Sequence, residues 1–530
     1  MKKTTLYFNG EILTMADPLY VDAVFVEDGI ISAMGERDEI LTHIRPDTEI
    51  VNLNGAVLLP GFIDSHSHIA AFAQTLGVAQ LSSCRDFAGI QEKLREFAAN
   101  RKIGSQDWIV GIGYDEQHLE EGRHPDRGVL DAALPGVRVL ITHASGEAGV
   151  ISSLGLSAAG ITADTKDPED SIIGRMAGSS LPNGYLEGEI FSSVASKIAP
   201  PDEDQLLDQL EAAQDIYARH GITTAQEGLT RDEEWAMLRA FSDSGRMSLD
   251  IICYVDPKEA KHLSQENLSR VQRYKRHLKI GGYKLFFDGD LQDQTAWMSV
   301  PYPGETDYFG EPRYSDEEAE LLLFESMNDH LQVLVHCNGD AAAQQMISAC
   351  RKITEDSDVG LRPVMVHAQF LRPDQLPSMA NLGIIASFFP AHIYFWGDLH
   401  MRNFDPQKAA YISPAQSAKQ AGVVFTFHQD TPTLLPNMLN AVWCAVNRKS
   451  RRGTVLGEEE QVSILDALKA ITIHAAYQYF EEDSKGSIEV GKRADFVVLD
   501  FNPLRVRPAD IKRVRVLKTI KDDRVIYERE

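Results

Sequence analysis

Cysteine is scarce in this chain of 530 residues: Cys84, Cys253, Cys337, Cys350 and Cys444 are odd in number and far apart. That spacing excludes a disulfide scaffold and suits a reducing compartment. Positive charge is also short, with 52 Lys and Arg against 78 Asp and Glu and a formal net of -26. A surface of that sign repels polynucleotides and anionic membranes, so neither is expected as a partner. No apolar run approaches the roughly 20 residues of a membrane helix. The start, Met1 to Glu11, carries the lysines of a secretory n-region, but Asn9, Gly10 and Glu11 break any apolar core behind them. No internal repeat and no low-complexity tract is present. What these absences leave is a globular protein of a reducing cytoplasm, and a homodimer is compatible with the sequence.

The length accommodates a barrel of ordinary size plus a second unit. Short apolar runs bounded by turn residues fall at 57–64, 222–226, 249–255, 282–287, 332–336, 363–367, 383–389 and 423–428. Segments of helical period lie between them, at 205–220, 233–241, 316–328 and 341–353 among others. Strands alternating with helices predict an α/β fold with a parallel sheet, and eight of them predict a closed (β/α)8 TIM-like barrel, whose chemistry sits at the carboxyl ends of the strands. The test is what occupies those ends. The first run leads into His66 and His68, two residues apart and therefore on one side of an extended chain. Lys284 lies in the fourth run, His336 and His367 close the fifth and sixth, and Asp430 follows the eighth. Any one of these reads equally as a hydrogen-bonded structural residue. Together, at one end of one barrel, they point to a metal centre.

The stretches Pro60-Gly61-Phe62-Ile63-Asp64-Ser65-His66-Ser67-His68, Gly281 to Gly289, His336-Cys337-Asn338-Gly339-Asp340-Ala341 and Lys485 to Asp495 resemble the amidohydrolase superfamily. Within it they look like the amidohydrolase-3 (YtcJ-like) branch, which includes N-substituted formamide deformylase. The resemblance implies that His66, His68, His336, His367 and Asp430 are metal ligands. It also implies that Lys284 matches a lysine that several members carboxylate, since a neutral buried amine can add carbon dioxide and become an anionic donor. The alternative for Lys284 is an ion pair with Asp288 or Asp340. The implied activity is metal-dependent hydrolysis of a carbon–nitrogen bond other than a peptide bond. One or two divalent ions, zinc first and manganese or iron next, would activate water. Asp430 is the candidate catalytic proton carrier; the competing reading makes it a cap on the Asp-Thr-Pro turn.

His392 and Trp396, in the aromatic segment after the seventh strand, are candidate substrate contacts, or rings that pack the loop. His428 faces either the site or the barrel wall. The basic run Arg448 to Arg452 reads as a solvated loop. Two positions depart from the family pattern: Glu147, where a histidine is expected after His143-Ala144-Ser145-Gly146, and Val366, where glutamate usually precedes His367. Residues 1–56 and 485–530 read as short strands pairing into one β-sandwich. Residues 57–484 form the barrel, and an insertion at about 70–205 is placed to cover the site. Rival readings are a lactonase or esterase using the same centre, and a non-catalytic regulatory relative, which predicts missing ligands.

Overall fold

A computed structural model describes residues 3–99, 101, 104, 107–354 and 360–530. The chain divides into two compact units, one made of Met1–Ala71 with Leu210–Glu530 and the other of Phe72–Gln209.

In the first unit, eight strands among the described residues form one parallel sheet in chain order. They are β1 (Phe62–Ile63), β2 (Ile222–Thr230), β3 (Asp250–Val255), β4 (Leu278–Phe286), β5 (Gln332–Cys337), β6 (Val364–His367), β7 (Ile385–Phe388) and β8 (Phe425–Phe427). Both faces are covered, so the strands are nearly continuous apolar runs. Ile63, Ile252, Leu334, Val364, Val366 and Ile385 pack as one buried cluster. Val366 thus stands in the apolar core. The sheet curls until its edges meet at the carboxyl end: Asp430 N donates to His66 O at 3.2 Å and His68 N to Thr431 O at 2.7 Å. No ladder joins β8 to β1 among the described residues.

The run predicted as the first strand serves two sheets. Val57–Pro60 belongs to a separate sheet and only Phe62–Ile63 enters the parallel one. The switch falls at Gly61, where a Cβ would lie 2.4 Å from the Thr223 side chain. The separate sheet interleaves the chain's two ends, with Val57–Pro60 held between Thr4–Leu13 and Phe496–Leu499. The helices Glu203–Arg219, Asp232–Ser244, Asp316–Asn328 and Asp340–Thr354 lie where the period placed them. The aromatic segment after β7 is not a loop but the helix Ala391–Asn403. The basic run also differs from its reading, because Arg448 is buried and donates to the carbonyls of Leu456, Ser413, Ala410 and Ile412.

The amino end of the parallel sheet carries a buried, balanced charge cluster. Asp250 takes Lys485 at 2.6 Å and Lys521 at 2.9 Å; Lys521 also reaches Asp495 at 2.9 Å. Glu481 takes Lys485 at 3.0 Å and Lys279 at 2.5 Å. Burial alone would raise the Asp250 carboxyl, but Lys485 and Lys521 outweigh it and hold it well below the usual carboxylate range. The Lys485 to Asp495 motif is therefore the tie between the terminal segment and the sheet.

The Phe72–Gln209 unit has its own six-stranded sheet among the described residues. Trp108–Tyr114 pairs in parallel with Arg138–His143, and Ala148–Ile151, Pro182–Gly188 and Ser171–Arg175 follow antiparallel. Leu81, Ile90, Leu94, Val139 and Ile141 lie in its core.

Candidate metal centre

His66 and His68 leave β1 with their rings 5.0 Å apart, and Asp430 Oδ1 stands 3.5 Å from His66 Nε2 and 3.7 Å from His68 Nε2. Their ligand atoms converge tightly enough to share one ion. The backbone at Asp430 is left-handed (φ 53°), and so is that at His367 (φ 72°). Such conformations are uncommon away from glycine, and they concentrate where a side chain must be aimed. Asp430 also closes the turn, accepting the Thr433 amide at 2.8 Å. The Asp430 backbone thus serves the turn while its carboxylate faces the two histidines.

The hydrogen-bond network fixes which imidazole nitrogens are free. Gln226 spends its amide hydrogens on Ser65 O and Tyr479 Oη, each at 2.9 Å, so its Oε1 must accept from His66 Nδ1 at 2.5 Å. His66 Nε2 is left with its lone pair toward Asp430 and the Lys284 amine. Gly228 makes room for that ring: a Cβ there would lie 2.5 Å from His66 Cε1. A longer relay sets His367. The Phe427 carbonyl can only accept, so Ser65 Oγ donates to it at 3.0 Å. Ser387 Oγ then donates to Ser65 Oγ at 3.1 Å and accepts His428 Nδ1–H at 2.8 Å. His428 Nε2 in turn accepts His367 Nδ1–H at 3.2 Å. His367 Nε2 is therefore the free lone pair, the form a cation needs. Burial also pushes all of these imidazoles below the usual histidine range, His336 to about 3 and His66, His367 and His428 well down, so they are neutral.

His336 sits with its ring 4.5 Å from that of His367, its Nε2 facing the Gly289 carbonyl at 3.2 Å. Lys284 Nζ lies 3.2 Å from His66 Nε2, and burial lowers its amine to about 7. The alternative ion pairs do not form. Asp288 holds the backbone amides of Asn338, Gly339 and Trp297, and Asp340 takes Ser299, Arg372 and Lys408. A buried amine without a carboxylate, beside neutral imidazoles and an acid that burial has raised, suits a divalent cation.

The candidate substrate contacts lie farther out. His428 faces the site rather than the wall, but both its nitrogens are spent on Ser387 and His367 and it is fully buried, so it orients a neighbour and does not meet solvent. His392 is buried on the helix Ala391–Asn403, its ring tilted against Trp396 at 4.5 Å and bonded to His400 Nε2 at 3.2 Å, with Phe389 between it and His428. Sequence reasoning missed Glu227. The apolar run stops at Gln226, yet the next residue is a buried carboxylate 3.6 Å from His68 Nδ1 that also accepts the Ala70 amide at 2.8 Å. A charged residue directly after five strand positions was the available signal. Gln226, Ser65 and Ser387 carried none.

Fold and site define the class: the sequence profile of the Amidohydrolase family matches residues 49–527, and the chain belongs to that family. Among particular relatives, it is 27% identical to YtcJ of Bacillus subtilis (strain 168) over 99% of each chain. It is 26% identical to N-substituted formamide deformylase of Arthrobacter pascens, over 96% of this chain and 95% of the relative. A solved metal-dependent hydrolase from Pyrococcus furiosus superposes with a TM-score of 0.74 at 22% identity, covering 95% of this chain and all of that one, which establishes a common fold. Among the described residues no helix is long and apolar enough to cross a membrane.

Proposed function

We propose that this protein is a metal-dependent amidohydrolase that cleaves a carbon–nitrogen bond, other than a peptide bond, in a small molecule. The observation that carries the reading is the convergence of His66, His68 and Asp430 with the lone pairs of His66 and His367 set free by Gln226 and by the Ser65–Ser387–His428 relay. The parallel sheet is read as a (β/α)8 barrel interrupted by the insertion at about 70–205. His66, His68, His336, His367, Asp430 and Lys284 would hold one or two ions, zinc suiting imidazole and carboxylate donors best. Such an ion polarises a carbonyl and brings the pKa of water toward neutrality.

This chain's residues do the rest. Lys284, part neutral near pH 7, adds carbon dioxide at Nζ and loses a proton to give a carbamate whose two oxygens can ligate. Asp430 accepts the proton of the attacking water through Oδ1 and returns it to the departing nitrogen. The ring of Trp396, backed by the buried His392, offers an apolar wall for the substrate's organic portion.

The test is metal content and hydrolysis by full-length protein, before and after chelation, against N-formyl and N-acyl amines, with lactones and esters in parallel. The reading expects amide turnover that disappears on chelation and returns with zinc or manganese. Ester or lactone turnover alone would assign the other carbonyl class. A metal-free protein that no divalent ion activates would overturn the hydrolase reading.

A further inference from the structure

Neutral groups answer the outer nitrogens of His66 and His367, namely the Gln226 amide and the His428 ring. His68 differs. Its Nδ1 faces Glu227 Oε1 at 3.6 Å, while its Nε2 faces Asp430 Oδ1 at 3.7 Å. Successive residues of β2 thus address the two histidines, Gln226 with a neutral amide and Glu227 with a carboxylate. The backbone holds them in place: His68 and Glu227 form a β-bridge, Gly228 N donates to Ser67 O at 2.8 Å, and His68 N donates to Thr431 O at 2.7 Å.

Glu227 also caps a helix. Its Oε2 accepts the amide of Ala70, in the first turn of Ile69–Leu76, at 2.8 Å. That bond uses one oxygen of a residue that is 1% exposed. The other oxygen has no lysine or arginine within ion-pair reach among the described residues, and a buried carboxylate without a counter-charge is costly. At 3.6 Å the approach to His68 is longer than a hydrogen bond, so it acts through charge. An Nδ1–H turns its positive end toward Oε1 and is favoured, whereas an Nδ1 lone pair there is repelled. With the proton on Nδ1, the Nε2 lone pair is directed at Asp430 Oδ1, beside the free lone pair of His66. Electron density given up through Nε2 makes the ring more positive, and that positive charge is what the second Glu227 oxygen needs.

We propose that Glu227 is a positioning residue for the metal centre: its charge holds His68 in the Nδ1–H tautomer and strengthens Nε2 as a donor to a divalent cation. This role presupposes the metal-dependent reading of the site and makes its two leading histidines unequal. His68, backed by a carboxylate, is the stronger donor, and His66, backed by an amide, the weaker.

The test is Glu227→Gln in the full-length protein. The side-chain carbonyl still accepts from Ala70, so the cap survives, but the new NH2 donates to His68 Nδ1 and shifts the ring proton to Nε2, where it blocks the donor. Zinc affinity, measured by competition with a chromophoric chelator, is expected to weaken about 10–100-fold, the usual reach of an outer partner. The chelated variant is expected to melt no lower than chelated wild type. Unchanged zinc affinity would overturn the role, and a lower melting temperature beside it would leave Glu227 as a helix cap alone. Neutron diffraction from crystals of the chelated wild type decides the matter without any variant: a proton on His68 Nδ1 is the expected result, and one on Nε2 overturns the proposal. Wild-type protein that takes up neither zinc nor manganese is a different failure, that of the metal-dependent reading itself.

Discussion

The two ends of the parallel sheet bury charge in opposite ways. At the amino end Asp250, Glu481 and Asp495 meet Lys279, Lys485 and Lys521 in contacts of 2.5 to 3.0 Å, and every carboxylate has an ammonium. At the carboxyl end Lys284 has no carboxylate within ion-pair reach among the described residues, four imidazoles are held neutral, and one buried Asp64 oxygen has no hydrogen-bond partner. Desolvation acts on both ends alike. Where it is answered by opposite charge the cluster holds the fold, and where it is not the groups stay reactive, with lone pairs and shifted pKa values available to a ligand. Stability and chemistry are thus separable along one set of strands.

That separation can be broken at several points. Asp430→Asn should lower turnover of a responsive amide by about 10²–10⁴-fold, the usual contribution of a positioned proton carrier, without lowering the melting temperature. A large loss of stability instead would make Asp430 a structural residue and collapse the comparison. Asp250→Asn should do the reverse. Removing one partner of a buried charge cluster costs about 3–5 kcal/mol, to be read by urea unfolding, while turnover per folded molecule stays level.

A smaller effect is expected from Ser387→Ala, which ends the relay that sets the His367 tautomer; affinity for zinc should weaken about 10–100-fold, the usual reach of an outer partner, as measured by competition with a chromophoric chelator. Lys284→Met should leave stability unchanged or higher, since it removes a lone buried amine. It should also abolish the carbamate signal that ¹³C-labelled bicarbonate gives in the wild-type NMR spectrum. The mildest test is pH. Asp250 and Glu481 are depressed in the folded state, so their stabilisation is present above the unfolded carboxyl range and is lost as pH falls. The unfolding free energy should therefore decline below about pH 4, and less steeply in Asp250→Asn.

Much of the larger unit was legible. Each of the eight strands was marked by a short apolar run, because burial on both faces writes itself into consecutive residues. The polar residues that follow those runs, His66, His68, His336, His367 and Asp430, were readable for the same reason: a strand end is a local event. The run 57–64 looks like one strand because its apolar residues continue on both sides of Pro60 and Gly61, whereas the chain there passes from one sheet to another. Arg448 looked solvated because its neighbours are basic, and nothing nearby announced the four carbonyls that it satisfies.

By itself, then, the sequence determined the succession of strands and helices and the residues delivered to the strand ends, since hydrophobic period and turn chemistry act over a few positions. The tertiary structure decided which of those residues are free to act. His66 owes its open nitrogen to Gln226, 160 positions away, and His367 owes its own to a relay whose two serines are 322 positions apart. Partners so distant are chosen by how the strands pack side by side, and neither period nor composition records that choice.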